Sequence, residues 1–292
     1  MKTLPSTLEH LNRQSSLIHE IIVVDSSPTE IQQELTSLVK QYPIVKTVFL
    51  DKKTIPAIGR NIGASKAEGS LLLFIDSDAY PDADWVETVL KAYSDGARVG
   101  GGGIELPEFQ TRNLLAMAQF FLQFNEFMPN GNKRQKPFVP SCNLFCDKEL
   151  FNELGGFPEV RASEDVLFGL NASQSNELWF LPDSKVFHIF GDSFKRFRTN
   201  QFLLGKYVAA YKKDRLKNSV KRFLFSPAIQ LPAFAVVPAY KYMLLLTRII
   251  HADARHIVMF SAVSPVVFLG LLFWSAGFLN GATASGDPLR ET

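Results

Sequence analysis

Residues 71–75 are all apolar, and they break directly into Asp76-Ser77-Asp78. A short apolar run that stops at an acidic turn reads as a buried strand ending at its C-terminal edge. In open α/β sheets that edge is where ligands bind. Two carboxylates one residue apart can both reach one hard cation there, since Mg²⁺ is commonly held by one or two carboxylates together with phosphate oxygens. The bland reading of the same tripeptide is a solvated turn opened by Asp78. The flanking segments decide between the two.

Around this run, strand and helix patterns alternate. Leu8, Leu11 and Leu17 give residues 6–17 a helical face, and residues 21–24 form a β-branched strand that ends on Asp25. Ser27-Pro28-Thr29-Glu30 has capping-box spacing with a proline at the first helical position, and Ile31, Leu35, Leu38 and Val39 follow at helical spacing. A strand at 45–50 and a helix at 58–69, stopped by Gly69, lead into the acidic turn. Asp84 caps the next helix, with Glu87 three residues on and Trp85, Val89 and Tyr93 inward. Such alternation over 21–95 predicts a parallel sheet with right-handed crossovers.

Beyond residue 96 the pattern loosens. Gly100–Gly103 lacks the Lys-Ser or Lys-Thr of a phosphate-binding loop, and is expected to be a flexible turn beside a strand at 104–106. Residues 112–128 form an apolar helix, 129–137 a basic loop and 140–145 a strand. Asp147 caps a helix ended by Gly155-Gly156, and Ser163 caps one opened by Glu164-Asp165. Strands are expected at 178–181 and 186–189, the second carrying His188. Two cysteines, Cys142 and Cys146, are too few for a disulfide framework or a tetrahedral zinc site.

The last third changes character. Residues 195–222 carry a net charge of +9, and the other 264 residues sum to −7. Interleaved with Phe194, Phe197, Phe202 and Tyr207, these charges read as a basic helix on an anionic membrane surface. Nucleic acid is set aside as a partner because two long apolar runs follow. Residues 223–247 are interrupted by Pro227, Pro232, Pro238 and Lys241, whereas 257–279 hold no charge. Both are expected spans, with 281–292 a polar tail. The basic flank of a span stays in the cytoplasm, which places residues 1–222 on that side of the cell (inner) membrane.

In this order and spacing, IIVVDS (21–26), GRNIGASKAEG (59–69), LLLFIDSD (71–78), the segment 143–157 with its Gly-Gly-Phe turn, and Glu164-Asp165 with His188 after it resemble glycosyltransferase family 2, the inverting GT-A enzymes that use nucleotide-sugar donors. The resemblance covers roughly residues 7–210. It implies an α/β, GT-A, mixed sheet flanked by helices over 1–193, followed by the basic membrane-surface segment 194–222 and the membrane segment 223–280. It also implies Asp25 on the nucleoside, Arg60, Asn61, Gly63 and Asp76 along the donor, and Asp78 with His188 on Mn²⁺ or Mg²⁺. Asp165 would be the catalytic base, with Glu164 beside it. The partners implied are a nucleotide-sugar donor, UDP-sugar by the family's commonest usage, and a lipid-linked or envelope glycan acceptor. The sequence contains no Gln-x-x-Arg-Trp, the mark of processive synthases, so transfer of a single sugar is expected. The strand with which the family opens has no counterpart before the first helix. A central sheet position is therefore expected to be vacant or filled by another segment, with a catalytically inactive scaffold as the alternative function.

Overall fold

The computed structural model describes residues 2–284 except 217, 218, 220–222 and 224, so Lys217, Lys221, Arg222 and tail residues 285–292 lie outside the described residues. The chain divides into two compact units. The first comprises residues up to Glu105, Pro129–Val160 and Glu164–His188; the second comprises Leu106–Met128, Arg161–Ser163 and Ile189 onward.

In the first unit, helix α1 (Leu4–Asn12) leads through a 3-10 turn to strand β1 (Ile21–Asp25), helix α2 (Thr29–Val39) and strand β2 (Val45–Phe49). Leu8 and Leu11 face inward as expected, but Leu17 falls in the 3-10 turn and is 46% exposed. Pro28 is the N-cap of α2 rather than its first residue, and the expected capping box does not form. Ser27 instead donates from its backbone N–H and its hydroxyl to Asp25 Oδ1, at 3.1 and 2.7 Å. Helix α3 (Pro56–Lys66) then crosses to β3 (Leu71–Phe74).

Here the all-parallel expectation fails. Strands β1 and β2 pair in parallel as a separate two-stranded sheet. Strand β3 lies at one edge of a six-stranded mixed sheet, antiparallel to β7 (Leu144–Asp147). The order from that edge is β3, β7, β5 (Val99–Glu105), β8 (Leu178–His188) and β4 (Ala79–Pro81), with β6 (Arg134–Gln135) paired to β8. Among the described residues, no ladder joins β1 to β3. Helix α1 packs Leu4 and Leu8 against Leu35, Ile21 and Val23. Its Thr7 hydroxyl also donates to Ala79 O at 2.7 Å, fastening the short strand β4 (Ala79–Pro81). Helix α4 (Trp85–Ser94) follows, with Trp85 and Val89 buried.

The expected flexible glycine turn is a fully buried strand, β5 (Val99–Glu105), in the middle of the sheet. Its glycines are there because neighbouring backbone leaves no room for a Cβ. One on Gly101 would lie 2.1 Å from Asn143 O, and one on Gly102 would lie 1.8 Å from Ser184 O. The two strands expected at 178–181 and 186–189 are one strand, β8, whose register against β5 shifts between Gly102 and Ile104. Asn143 stitches that irregularity by donating to Gly103 O and Ser184 O at 2.9 and 2.8 Å. The strand expected at 140–145 opens as a 3-10 turn, Ser141–Asn143. Helices α6 (Lys148–Glu153), capped by Asp147, and α7 (Glu164–Ala172) complete the unit.

The second unit is helical. It contains α5 (Leu114–Phe124), α8 (Phe194–Arg215), α9 (Pro227–Ile250) and α10 (Ala254–Thr283). Helix α10 is long and apolar enough to cross a membrane, and α9, bent by 53° between Ala228–Phe234 and Val236–Ile250, reaches that length as a bent pair. Helix α8 runs lengthwise along α10 at very short range. A Cβ on Gly205 would lie 1.9 Å from Trp274 O, and one on Gly277 would lie 1.8 Å from Phe202 O. Three of its cations, Lys195, Arg196 and Arg198, are exposed.

Gly102→Ala is expected to destabilise the first unit by about 1–3 kcal/mol, because the nearest obstacle to the new methyl, Ser184 O, is backbone. Gly59→Ala, in α3 with nothing within 4 Å of the added Cβ, is expected to stabilise by about 0.5–1 kcal/mol. Thermal unfolding midpoints of the two variants check the pair.

Candidate active site

Four carboxylates converge at the carboxyl end of β3, and one guanidinium holds two of them. Arg60, on α3, donates to Asp76 Oδ1 at 2.6 Å and to Glu164 Oε1 at 2.7 Å. Its side chain is only 16% exposed, with the guanidinium carbon 5.8 Å above the Phe157 ring. The adjacent residue fixes that placement. Asn61 accepts from Phe157 N–H at 2.9 Å and donates to Phe157 O at 2.8 Å. Both its amide arms are thus spent on a latch between α3 and the turn after α6. Gly155 and Gly156, with φ of 79° and 69°, make that turn. At Gly156 a Cβ would also lie 2.8 Å from Asn61 Oδ1. Phe74, Phe151, Phe157 and Phe168 pack edge to face or tilted beneath, with ring centroids 5.0–5.4 Å apart.

The acidic turn is closed by the Ala79 N–H donating to Asp76 O at 3.0 Å. Strand β4 then pairs Ala79 directly with His188. This register brings the imidazole to Asp78, with Nε2 3.7 Å from Oδ1. Ligand atoms of Asp76, Asp78 and His188 all lie within 4.8 Å of one another, close enough for one ion to bind all three. Two carboxylates and an imidazole form a donor set that suits Mn²⁺ and accepts Mg²⁺.

Glu164 and Asp165 open α7. The preceding Ser163 has φ 68°, an uncommon backbone for a residue with a Cβ. Asp165 accepts from Val166 N–H at 2.8 Å and from Ser141 N–H at 3.3 Å. Burial raises its carboxyl above the ordinary range despite those two bonds and the Arg60 charge. Burial, then the Asp165 charge, push Glu164 up to about 7 against the pull of Arg60. Asp78 is raised as well, by burial ahead of the opposing His188 charge. Cys142 borders the same acids, and burial keeps its thiol protonated.

Among the described residues, Asp25 and Gly63 make no hydrogen bond or ion pair with this cluster. Asp25 Oδ1 is occupied by Ser27, whereas Oδ2 is buried with no hydrogen-bond partner among the described residues. Gly63 brings α3 close to β1, since its Cβ would meet Val24 Cγ2 at 3.3 Å. Ser141 is the site residue that sequence reasoning missed. Its contribution is a backbone N–H, which side-chain identity does not reveal.

The sequence pattern of glycosyl transferase family 2 matches residues 1–155, and the chain belongs to that family. It is 24% identical over 206 residues to glycosyltransferase AglE of Haloferax volcanii, covering 68% of this chain and 66% of AglE. It is 25% identical over 221 residues to polypeptide N-acetylgalactosaminyltransferase 15 of Mus musculus, covering 65% of this chain and 33% of that protein. Among solved structures, it resembles the mannosyltransferase PcManGT of Pyrobaculum calidifontis in complex with GDP-Man and Mn²⁺. That likeness has a TM-score of 0.61 and 14% identity, over 98% of this chain and 84% of the other. It also resembles GalNAc-T7 with UDP, GalNAc and Mn²⁺, with a TM-score of 0.53 and 16% identity over 72% and 48% of the two chains. The fold is therefore GT-A.

Two measurements check this site. Mn²⁺ binding, followed by electron paramagnetic resonance, is expected to weaken in Asp78→Asn by more than the roughly 10–100-fold that loss of an outer-shell partner costs. The infrared band of protonated carboxyl groups is expected to lose intensity as pH rises through about 7, and Glu164→Gln is expected to remove that step.

Proposed function

We propose that this chain is an inverting glycosyltransferase that moves one sugar from a nucleoside-diphosphate donor, UDP-sugar first among them, to the hydroxyl of a lipid-linked or envelope acceptor. The observation that carries the reading is the convergence of Asp76, Asp78, Glu164 and Asp165 on Arg60 and His188 at the end of β3. Charged groups gathered in one partly buried place, with carboxyl groups raised toward neutrality, are the usual mark of acid–base chemistry.

Asp76, Asp78 and His188 would hold Mn²⁺ or Mg²⁺ in this reading, and the ion would supply positive charge to offset the negative charge building on the departing diphosphate. Asp25 offers its free, buried Oδ2 to the nucleoside. Arg60 faces the donor between two acids. Asp165, fixed by two backbone amides, takes the proton of the acceptor hydroxyl. The acceptor oxygen bonds to the anomeric carbon on the face opposite the leaving group. The bond from that carbon to the β-phosphate oxygen breaks, and the nucleoside diphosphate leaves with the electron pair. In-line displacement inverts the anomeric centre. Helix α10, and α9 with it, anchors the chain in the cell membrane with the catalytic residues on the cytoplasmic side, by the charge rule.

A second reading, a scaffold without turnover, is favoured by the break between β1 and β3, which separates Asp25 from the metal triad by an unpaired sheet edge.

Nucleoside-diphosphate release from UDP-sugars tests both readings. Asp165→Asn is expected to lower turnover by about 10²–10⁴-fold while leaving Mn²⁺-dependent UDP binding in place. Unchanged turnover rejects Asp165 as the base. A folded wild-type protein that binds neither UDP nor GDP in calorimetry supports the scaffold.

A further inference from the structure

Asp165, the proposed base, is held at both of its carboxylate oxygens. Oδ1 accepts from Val166 N–H, a bond within its own helix start, and Oδ2 accepts from Ser141 N–H at 3.3 Å. Among the described residues, the Ser141 amide is the one hydrogen-bond donor to this carboxylate from outside α7. The carboxylate is therefore directed by whatever aims the peptide group between Pro140 and Ser141.

Asn143 aims that group. The carbonyl of Pro140 accepts from Asn143 N–H at 3.1 Å. A peptide group is planar and trans, so fixing its C=O fixes where its N–H points. The Asn143 side chain is itself pinned by three bonds. Its amide donates to Gly103 O and Ser184 O, and its Oδ1 accepts from the Trp85 indole N–H at 2.8 Å. Turned over, the amide would set its N–H groups against the indole N–H and its oxygen against two carbonyls, so only one orientation is allowed. The room for it comes from β5, where a Cβ on Gly102 would lie 2.7 Å from Asn143 Nδ2. Both Asn143 and Trp85 are buried, so bulk water does not substitute for a lost bond. Closing the irregularity between β5 and β8 uses only the two amide donors. The bond from Trp85 serves a different end: it ties the turn of Ser141–Asn143 to α4, the helix that follows the acidic hairpin.

We propose that Asn143 and Trp85 are positioning residues of the transfer reaction, aiming the Ser141 N–H so that the Asp165 carboxylate presents one fixed edge to the acceptor hydroxyl. The assignment rests on the reading of Asp165 as the base. A reacting group misplaced by about 1 Å can lose on the order of 10²-fold in rate, which gives a buried bond away from the substrate its leverage over turnover.

Two variants each remove one N–H from this chain of bonds. Trp85→Phe keeps a buried ring and deletes the indole donor. Ser141→Pro deletes the amide donor itself. Ser141 opens a 3-10 turn, and Pro140 before it already has φ −65° and ψ 140°, the extended backbone that a following proline requires. The measurements are kcat for nucleoside-diphosphate release and Mn²⁺-dependent UDP affinity, in both variants and in the double variant. Each single change is expected to lower kcat by about 10-fold with UDP affinity unchanged. The double variant is expected to be about as slow as Ser141→Pro alone, because both changes act through one bond. Effects that multiply in the double variant overturn the assignment, as do single variants with wild-type kcat while Asp165→Asn is impaired. Wild-type turnover in Asp165→Asn overturns the base itself, and this assignment with it. Nuclear magnetic resonance of the chain labelled with ¹⁵N-serine covers the case in which Ser141→Pro does not fold. The Ser141 amide proton, identified by its loss in Ser141→Ala, is expected to move upfield in Asp165→Asn and in Trp85→Phe alike, as a weakened bond to its acceptor requires. Movement in Asp165→Asn alone, or in neither, overturns the proposal.

Discussion

The guanidinium of Arg60 holds together acids that would otherwise drive one another apart. Asp76 comes from the end of β3 and Glu164 from the start of α7, 104 residues from Arg60. Taking either acid out of water is expensive, and only close, well-directed partners offset it. Arg60 supplies two such bonds at once because its fork is planar and rigid. Its own position rests on its neighbour Asn61, which grips the backbone of Phe157 on both sides. That grip in turn needs two glycines in the left-handed region. The charge centre thus depends on a turn distant in sequence whose defining property is backbone conformation.

Burial competes with the helix dipole at Glu164 and Asp165, and magnitudes decide the outcome. A helix N-terminus favours a nearby carboxylate by about 0.3–1 kcal/mol. Raising Glu164 from 4.5 to about 7 corresponds to something on the order of 3 kcal/mol in the opposite sense. Desolvation and the mutual repulsion of the two acids therefore outweigh the dipole and the Arg60 bond together. Asp76 has Arg60 and Asp78 has His188, so the four carboxylates sit in different environments although they share one site. Such separation is how a single cluster of like groups takes on different chemical roles.

The acidic strand ends, the helix starts after Asp84 and Asp147, and the apolar helices of the last third were legible because each is written in local periodicity or composition; Asp147 caps its helix with its side chain, whereas the cap expected from Asp84 does not form. The sheet was not. Strand β3 pairs with β7, whose residues lie seventy or more positions after their partners, and nothing in either run encodes an antiparallel partner. The glycine strand was misread for a related reason. A strand is recognised by its side chains, and β5 has dispensed with them so that the backbones of Asn143 and Ser184 can approach. Of the candidate site, Asp76, Asp78, His188, Glu164, Asp165 and Arg60 are brought together. Asn61 shares the motif with Arg60 but serves packing, a distinction that depends on Phe157.

The separation of β1–β2 from the larger sheet changes how the two ends of the proposed donor site are coupled. Asp25 ends β1, and Asp76 follows β3, with no ladder between the strands. Their spacing is set instead by two helices. Helix α3 packs Gly63 onto Val24 while reaching Asp76 through Arg60. Helix α1 buries Leu4 and Leu8 against β1 and α2, and ties the acidic hairpin through Thr7 to Ala79 and through Gln14 to Asp82 and Val86. Backbone ladders fix register to a fraction of an ångström, whereas helix packing tolerates small sliding motions. The proposed nucleoside end at Asp25 and the proposed metal end at Asp78 are therefore joined by side-chain packing, the hydrogen bonds of Thr7 and Gln14, and the ion pair of Arg60 with Asp76. A ligand that spans both ends would itself complete the connection that the sheet leaves open.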